Sequence, residues 1–142
     1  MERTARLYWN RAKQFVSVTG SGHGVVVDAS PELGGLGAGP SNTELLLTAL
    51  GGCSGMDVVS ILTKMRVAFD DLEIEVRGTV TEEHPRYLSH AHIIYTVRGA
   101  DVPEESVRRA VELSQERYCL VANTLRGRTQ ITYEYRIEPP NG

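Results

Sequence analysis

A chain of 142 residues with 41% hydrophobic and 23% charged side chains has the size and mix of one folded domain with its own core. Its net charge of −3, with no basic run, excludes the concentrated positive footprint that nucleic-acid binding needs. No stretch reaches the ~18 uninterrupted apolar residues of a membrane span, and MERTARLYWN lacks the apolar centre and cleavage site of a secretory signal. The expectation is therefore a cytoplasmic protein without a nucleic-acid or membrane partner, in which Cys53 and Cys119, the two cysteines, are free thiols.

In chain order, Ala5, Leu7 and Trp9 alternate with polar neighbours, KQFVSV follows a short turn, and GSGHG turns the chain into VVVD. This predicts a small antiparallel sheet. SPELGGLGAGPSN then reads as an irregular glycine-rich loop. It is not a phosphate loop, because no Gly-Lys-Ser/Thr follows it. Ser41-Asn42-Thr43-Glu44 is a capping-box pattern, predicting a long helix from there to about Arg66. Its apolar residues, Leu45 to Met65, spread over nearly the whole circumference, so the helix is expected to be buried on all sides. A chain this short does not surround such a helix alone, which points to a homodimer. Gly51, Gly52 and Gly55 each cost roughly 1 kcal/mol against Ala in a helix, so close backbone approach is the expected compensation.

The second half reads as two paired strands, a helix and a strand. Leu72, Ile74, Val76 and Val80 alternate with charges. Ala91, Ile93, Tyr95 and Val97 are expected to face inward on the next strand. PEESVRRAVELSQERY is a helix with Val107, Ala110, Val111 and Ser114 on one stripe. The last strand puts Ile131, Tyr133, Tyr135 and Ile137 on one side. Together these elements predict an α+β fold over residues 1–142 as a single domain.

Cys53 shares one helix face with Asp57, Ser60 and Lys64, a polar seam on an apolar helix. The bland reading of the two cysteines is as small buried hydrophobes. The functional one is thiol redox chemistry, for which the thiolate is the nucleophile and a nearby cation lowers the thiol pKa. Asp57 acts against a thiolate. Lys64 lies eleven residues on, about 16 Å along the helix. Arg6, Arg11, Lys13 and Arg126 remain as candidate cations. Gly51-Gly52-Cys53-Ser54-Gly55 fits a nucleophile-elbow spacing, but the residues before it are helical and no histidine has a triad context. His90 and His92 share a strand face with His84 nearby. With no Cys-x-x-Cys or helical His-Glu-x-x-His, they read as a polar outer face and no metal is expected.

The segments Pro40 to Leu47, Ala49 to Cys53 and Asp57-Val58-Val59 resemble the OsmC/Ohr family, and Arg117-Tyr118-Cys119-x-Val121 resembles that family's second cysteine motif. The match runs over essentially the whole chain, nearest to the branch carrying GGC-x-x-x-DVV. The resemblance implies antiparallel sheets around a long buried central helix, in an intertwined homodimer with sites at the subunit interface. It implies reduction of organic hydroperoxides: Cys53 becomes a sulfenic acid, Cys119 condenses with it to a disulfide, and an external dithiol restores both. No cofactor and no metal is implied. The family's glutamate stands ten residues before the cysteine, where this chain has Thr43, so Glu44 is the candidate, either as that glutamate or as a helix cap. The family's N-terminal arginine corresponds in region to Arg11. A non-enzymatic binder of small apolar ligands at the dimer interface is the alternative function.

Overall fold

The computed structural model describes residues 1–142, in two units divided after Leu46. In the N-terminal unit, β1 (Ala5–Arg11), β2 (Gln14–Thr19) and β3 (Gly24–Val27) form an antiparallel sheet in chain order. Trp9 pairs with Phe15 across the first hairpin, whose turn puts Ala12 at φ 49° and is closed by the Trp9 indole N–H on the Ala12 carbonyl at 3.0 Å. Leu7 and Trp9 keep 52% and 65% of their surface exposed.

Asp28, just past β3, organises the glycine-rich loop. Its Oδ1 accepts the N–H groups of Ala29 (2.7 Å) and Leu36 (3.1 Å), and its Oδ2 accepts those of Ala38 (3.1 Å) and the Gln14 side chain (3.1 Å). At Gly35 a Cβ would meet the Ala29 carbonyl oxygen at 2.0 Å, so this turn of the loop needs glycine. Burial by itself would raise the Asp28 pKa; the bonds from Gln14 and the three backbone N–H groups outweigh it and hold the pKa at about 2. A group with a depressed folded pKa lends stability above its unfolded value, here 3.8, and loses it as pH falls through about 2. Asp28→Asn, which sets an amide N–H₂ among N–H donors, is expected to be less stable than wild type at pH 7. In urea unfolding at a series of pH values, the gap between the two should close as pH falls through about 2. A gap independent of pH sinks this account.

α1 (Asn42–Lys64) opens on the capping box: Glu44 N–H donates to Ser41 Oγ and Ser41 N–H to Glu44 Oε1, both at 3.1 Å. Within one chain its burial is confined to one face, Leu50, Gly51, Ser54, Gly55, Val58 and Leu62, while Met56 and Val59 are 73% and 42% exposed. The expectation of burial on all sides is thus not met by a single chain, because β4 and β5 cover only one side. By length and composition alone α1 could cross a membrane, a test that the core helix of a soluble protein also passes. Its buried face is packed in protein and carries Ser54. A Cβ on Gly51 would meet Val76 at 2.9 Å, and one on Gly55 would meet Ile74 at 2.7 Å, whereas one on Gly52 meets nothing within 4 Å. Two of the three glycines therefore let α1 lie close on its sheet.

In the C-terminal unit, β4 (Asp71–Val80) pairs antiparallel with β5 (Leu88–Arg98). The chain then forms α2 (Glu104–Leu113), a π-helical turn (Ser114–Tyr118) and the short α3 (Leu120–Leu125) before β6 (Gln130–Glu138). β6 adds to β5 in parallel, one departure from the antiparallel expectation. A helical crossover, not a hairpin, connects the two strands, and a crossover returns the chain in the same direction. The inward residues are as read from the sequence: Ala91, Ile93, Tyr95 and Val97 of β5 and Val107, Ala110, Val111 and Ser114 are fully buried. Arg98 ties the sheet's end, with Asp71 of β4 at 2.8 Å, Glu73 of β4 at 2.9 Å and Glu138 of β6 at 3.1 Å. His90 and His92 lie half-buried on the other face. Each has a ring nitrogen on Thr132 Oγ1, at 2.8 and 2.7 Å, and His92 Nε2 is 3.3 Å from Glu134.

Candidate active site

Cys53 and Cys119, separated by 66 positions, meet in the C-terminal unit. Cys53 lies on α1, half-buried, one turn before Asp57; Cys119 is fully buried at the start of α3. The two sulfurs and an Asp57 carboxylate oxygen all lie within 4.8 Å of one another, and both cysteines are free thiols.

Two local features place Cys119. The helix that the sequence predicts through Tyr118 widens after Leu113, so that Cys119 N–H reaches the carbonyl of Ser114 at 2.8 Å, five residues back. Cys119 then leaves helical geometry (φ −70°, ψ 105°) and its sulfur accepts from Ala122 N–H at 3.4 Å, capping α3. α3 itself is absent from the sequence reading, being only six residues long. Arg126, one of the four candidate cations, steadies this segment. It donates to the Gln115 carbonyl and, at 2.9 Å, to Asn123 Oδ1.

Behind the thiols runs a row of buried polar side chains. Ser114 donates to Asp57 Oδ2 at 2.9 Å; Ser114 and Ser54 hydroxyls are 2.8 Å apart; Ser54 and Tyr95 hydroxyls are 2.5 Å apart. The Gln115 amide donates to Ser54 Oγ (3.1 Å) and to the Tyr95 hydroxyl (2.7 Å), while its Oε1 is buried without a partner. Burial, opposed in part by the bonds from Ser54 and Gln115, pushes the Tyr95 pKa up to about 12. The Cys119 thiol is pushed up to about 11: burial is the largest cause, the Ala122 N–H works against it, and Cys53 and Asp57 add to it.

Of the residues proposed from sequence, the structure brings Cys53, Cys119 and Asp57 together. Ser60 and Lys64, the rest of the polar seam, lie on the exposed part of α1. Glu44 closes the capping box described above, and its pKa is lowered by the Ser41 backbone and side-chain bonds. Arg11 ends β1, exposed, paired with Gln14. Ser54, Tyr95, Ser114 and Gln115 were not singled out as site residues. The available signal was a serine followed by glutamine continuing the buried stripe of α2, and a tyrosine among inward-facing residues, each a polar group that burial obliges to find a partner.

A family model described as OsmC-like protein matches residues 35–134. The chain belongs to the OsmC-like family. It is 39% identical over 133 residues to Protein YhfA of Escherichia coli (strain K12), covering 94% of this chain and 96% of that one. Among solved structures it is similar to a hypothetical protein from Aquifex aeolicus VF5, with 28% identity, a TM-score of 0.87 and 99% of each chain covered. An organic hydroperoxide resistance protein OsmC from Legionella pneumophila shares the fold at 13% identity, with a TM-score of 0.74 over 96% of this chain and 97% of that one.

In this OsmC-like chain the site offers two thiols, one reachable and one sealed in. An S–S bond of about 2.0 Å requires their sulfurs to approach by at most about 3 Å. The two thiols and the carboxylate have the donor types of a soft-metal site, but they are not read as ligands, because Cys119 is buried and holds its proton to about pH 11. The hydroxyl row predicts its own energetics. Tyr95→Phe keeps the ring but leaves a Gln115 N–H short of an acceptor, so it is expected to cost about 1–3 kcal/mol in urea unfolding. An unchanged midpoint and slope rule out a structural role for the row.

Proposed function

We propose that the protein is a thiol-dependent peroxidase that reduces organic hydroperoxides. The observation that carries this reading is the pairing of a half-buried Cys53 with a buried Cys119, their sulfurs within 4.8 Å. In the first step the Cys53 thiolate attacks the hydroxyl oxygen of the hydroperoxide. The O–O bond breaks, an alkoxide leaves and is protonated to the alcohol, and Cys53 becomes a sulfenic acid. Cys119 then attacks the sulfenic sulfur, water departs, and a disulfide joins the two. An external dithiol reduces that disulfide by exchange and is itself oxidised. The burial of Cys119 supports the division of roles, since a sealed, protonated thiol is a poor first nucleophile. The roles proposed for Arg11, as the cation beside the Cys53 thiolate, and for Glu44, as the family's glutamate, rest on the family resemblance. A cycle that returns to free thiols belongs in a reducing compartment, so the proposed location is the cytoplasm.

Wild type mixed with an alkyl hydroperoxide and dithiothreitol is expected to consume peroxide catalytically, and Cys53→Ser to fall to background. With no reductant present, Cys119→Ser should spend one equivalent of peroxide and form no internal disulfide. Equal inertness of wild type and Cys53→Ser ends the peroxidase reading.

A second reading is favoured by a different observation. A groove of about 770 Å³ runs between α1 and β4, lined by Leu47, Gly51, Met56, Val59, Ile74 and Val76. Such a groove suits a small apolar ligand, and a binder would keep it while showing no peroxide turnover. We also propose a homodimer, supported by the exposed apolar side chains of α1 and β1, among them Met56 at 73% and Trp9 at 65%. Light scattering is expected to give the mass of two chains for wild type and of one for Met56→Glu. A monomeric wild type removes the dimer.

A further inference from the structure

The peroxidase cycle uses two thiols and gives the carboxylate beside them no task. Asp57 is half-buried, one helical turn after Cys53, with a carboxylate oxygen within 4.8 Å of both sulfurs. Its setting is constructed. Ser114 has one hydroxyl proton and donates it to Asp57 Oδ2. In the bond between Ser54 and Ser114 the donor must then be Ser54, and in the bond between Ser54 and Tyr95 it must be Tyr95. The Gln115 amide donates to both of these oxygens. Every hydroxyl of the buried row thus points its hydrogen along the row, and the row ends on Asp57 as the sole terminal acceptor. A carboxylate has roughly four acceptor sites, of which Ser114 fills one.

We propose that Asp57 carries the proton of the resolving step: it takes the Cys119 thiol proton as the Cys119 sulfur attacks the Cys53 sulfenic acid, and passes it to the departing hydroxide. The role rests on the peroxidase reading above. The S–S bond forms and the S–O bond of the sulfenic acid breaks. The sulfenic sulfur is reduced, the thiol sulfur is oxidised, the hydroxide leaves as water, and Asp57 ends as it began. Cys119 needs such a partner because it is sealed from solvent and its thiol stays protonated near neutral pH. The timing also fits. A carboxylate repels a Cys53 thiolate, and that repulsion vanishes once Cys53 is a neutral sulfenic acid.

The ionisable groups around Asp57 are the two thiols, Lys64 of α1 and Tyr118 of the π-helical turn, which line a cleft with it, and Tyr95 at the far end of the row. Asp57→Asn keeps the shape and an oxygen that can accept from Ser114. One equivalent of alkyl hydroperoxide is added without reductant, samples are quenched in acid, and sulfenic acid and disulfide are followed by mass spectrometry. In Asp57→Asn the oxidation of Cys53 should stay within a few-fold of wild type, while disulfide formation slows by roughly 10²–10⁴-fold. The sulfenic acid then accumulates and is trapped by a cyclic 1,3-dione. Its slow step should recover about tenfold per pH unit in alkaline solution as hydroxide replaces the carboxylate. Asp57→Glu, which keeps a carboxylate, should restore most of the resolving rate. Disulfide formation at the wild-type rate in Asp57→Asn overturns the proposal. So does an equal loss of both steps with no alkaline recovery and no rescue by Asp57→Glu, the mark of a structural role. An inert wild type instead condemns the peroxidase reading itself, and this role with it.

Discussion

In the turn Ser114–Tyr118 the main chain bonds five residues apart, and this widening is what the site depends on. Through its carbonyl, Ser114 holds Cys119 N–H; through its hydroxyl, it holds Asp57. One residue therefore sets the position of a thiol on one segment and of a carboxylate on another. A regular helix here would close its bonds on different carbonyls and carry Cys119 around to another face. The guanidinium of Arg126 on the next main-chain carbonyl, that of Gln115, adds a brace to the same turn. Single π-helical turns are rare, and this one lies beside the candidate site.

The energetic logic is a trade between an apolar core and a polar row inside it. Leu50, Val58 and Leu62 of α1 are fully buried, yet Ser54 on the same face is buried too. It is tolerated because its hydroxyl is bonded in both directions. Gly51 and Gly55 bring α1 close enough to β4 and β5 for Tyr95 to reach that hydroxyl. The glycines weaken the helix locally and make the polar contact possible. At the end of the same central strand, Arg98 holds residues of β4 and β6 on either side of β5, so the strand that carries Tyr95 is fixed from both neighbours.

Much of this was legible in the sequence. The capping box at Ser41 and Glu44, the inward faces of β5 and α2, and the two cysteines as the residues to look at first all follow from periodicity and residue type. The polar seam through Cys53 and Asp57 was visible at helical spacing. Asp57, however, reads there as an opponent of the thiolate, because its partner Ser114 lies 57 positions away. Neither the parallel addition of β6 nor the short α3 could be read. Strand direction depends on a crossover, and six residues carry too little periodicity to signal a helix. The row of hydroxyls was hidden for a similar reason. Ser54, Tyr95 and Ser114 each look like an ordinary core position until the fold sets them side by side.

The long separation of the two cysteines has a consequence of its own. A bond between their sulfurs would enclose β4, β5 and α2 in a covalent loop of 66 positions. Chain-entropy arguments value the removal of that much freedom from the unfolded state at about 4 kcal/mol. Oxidation would then do more than store two electrons. It would also make the oxidised form the harder one to unfold, so the redox state of the thiol pair would be written into the thermal resilience of the whole C-terminal unit.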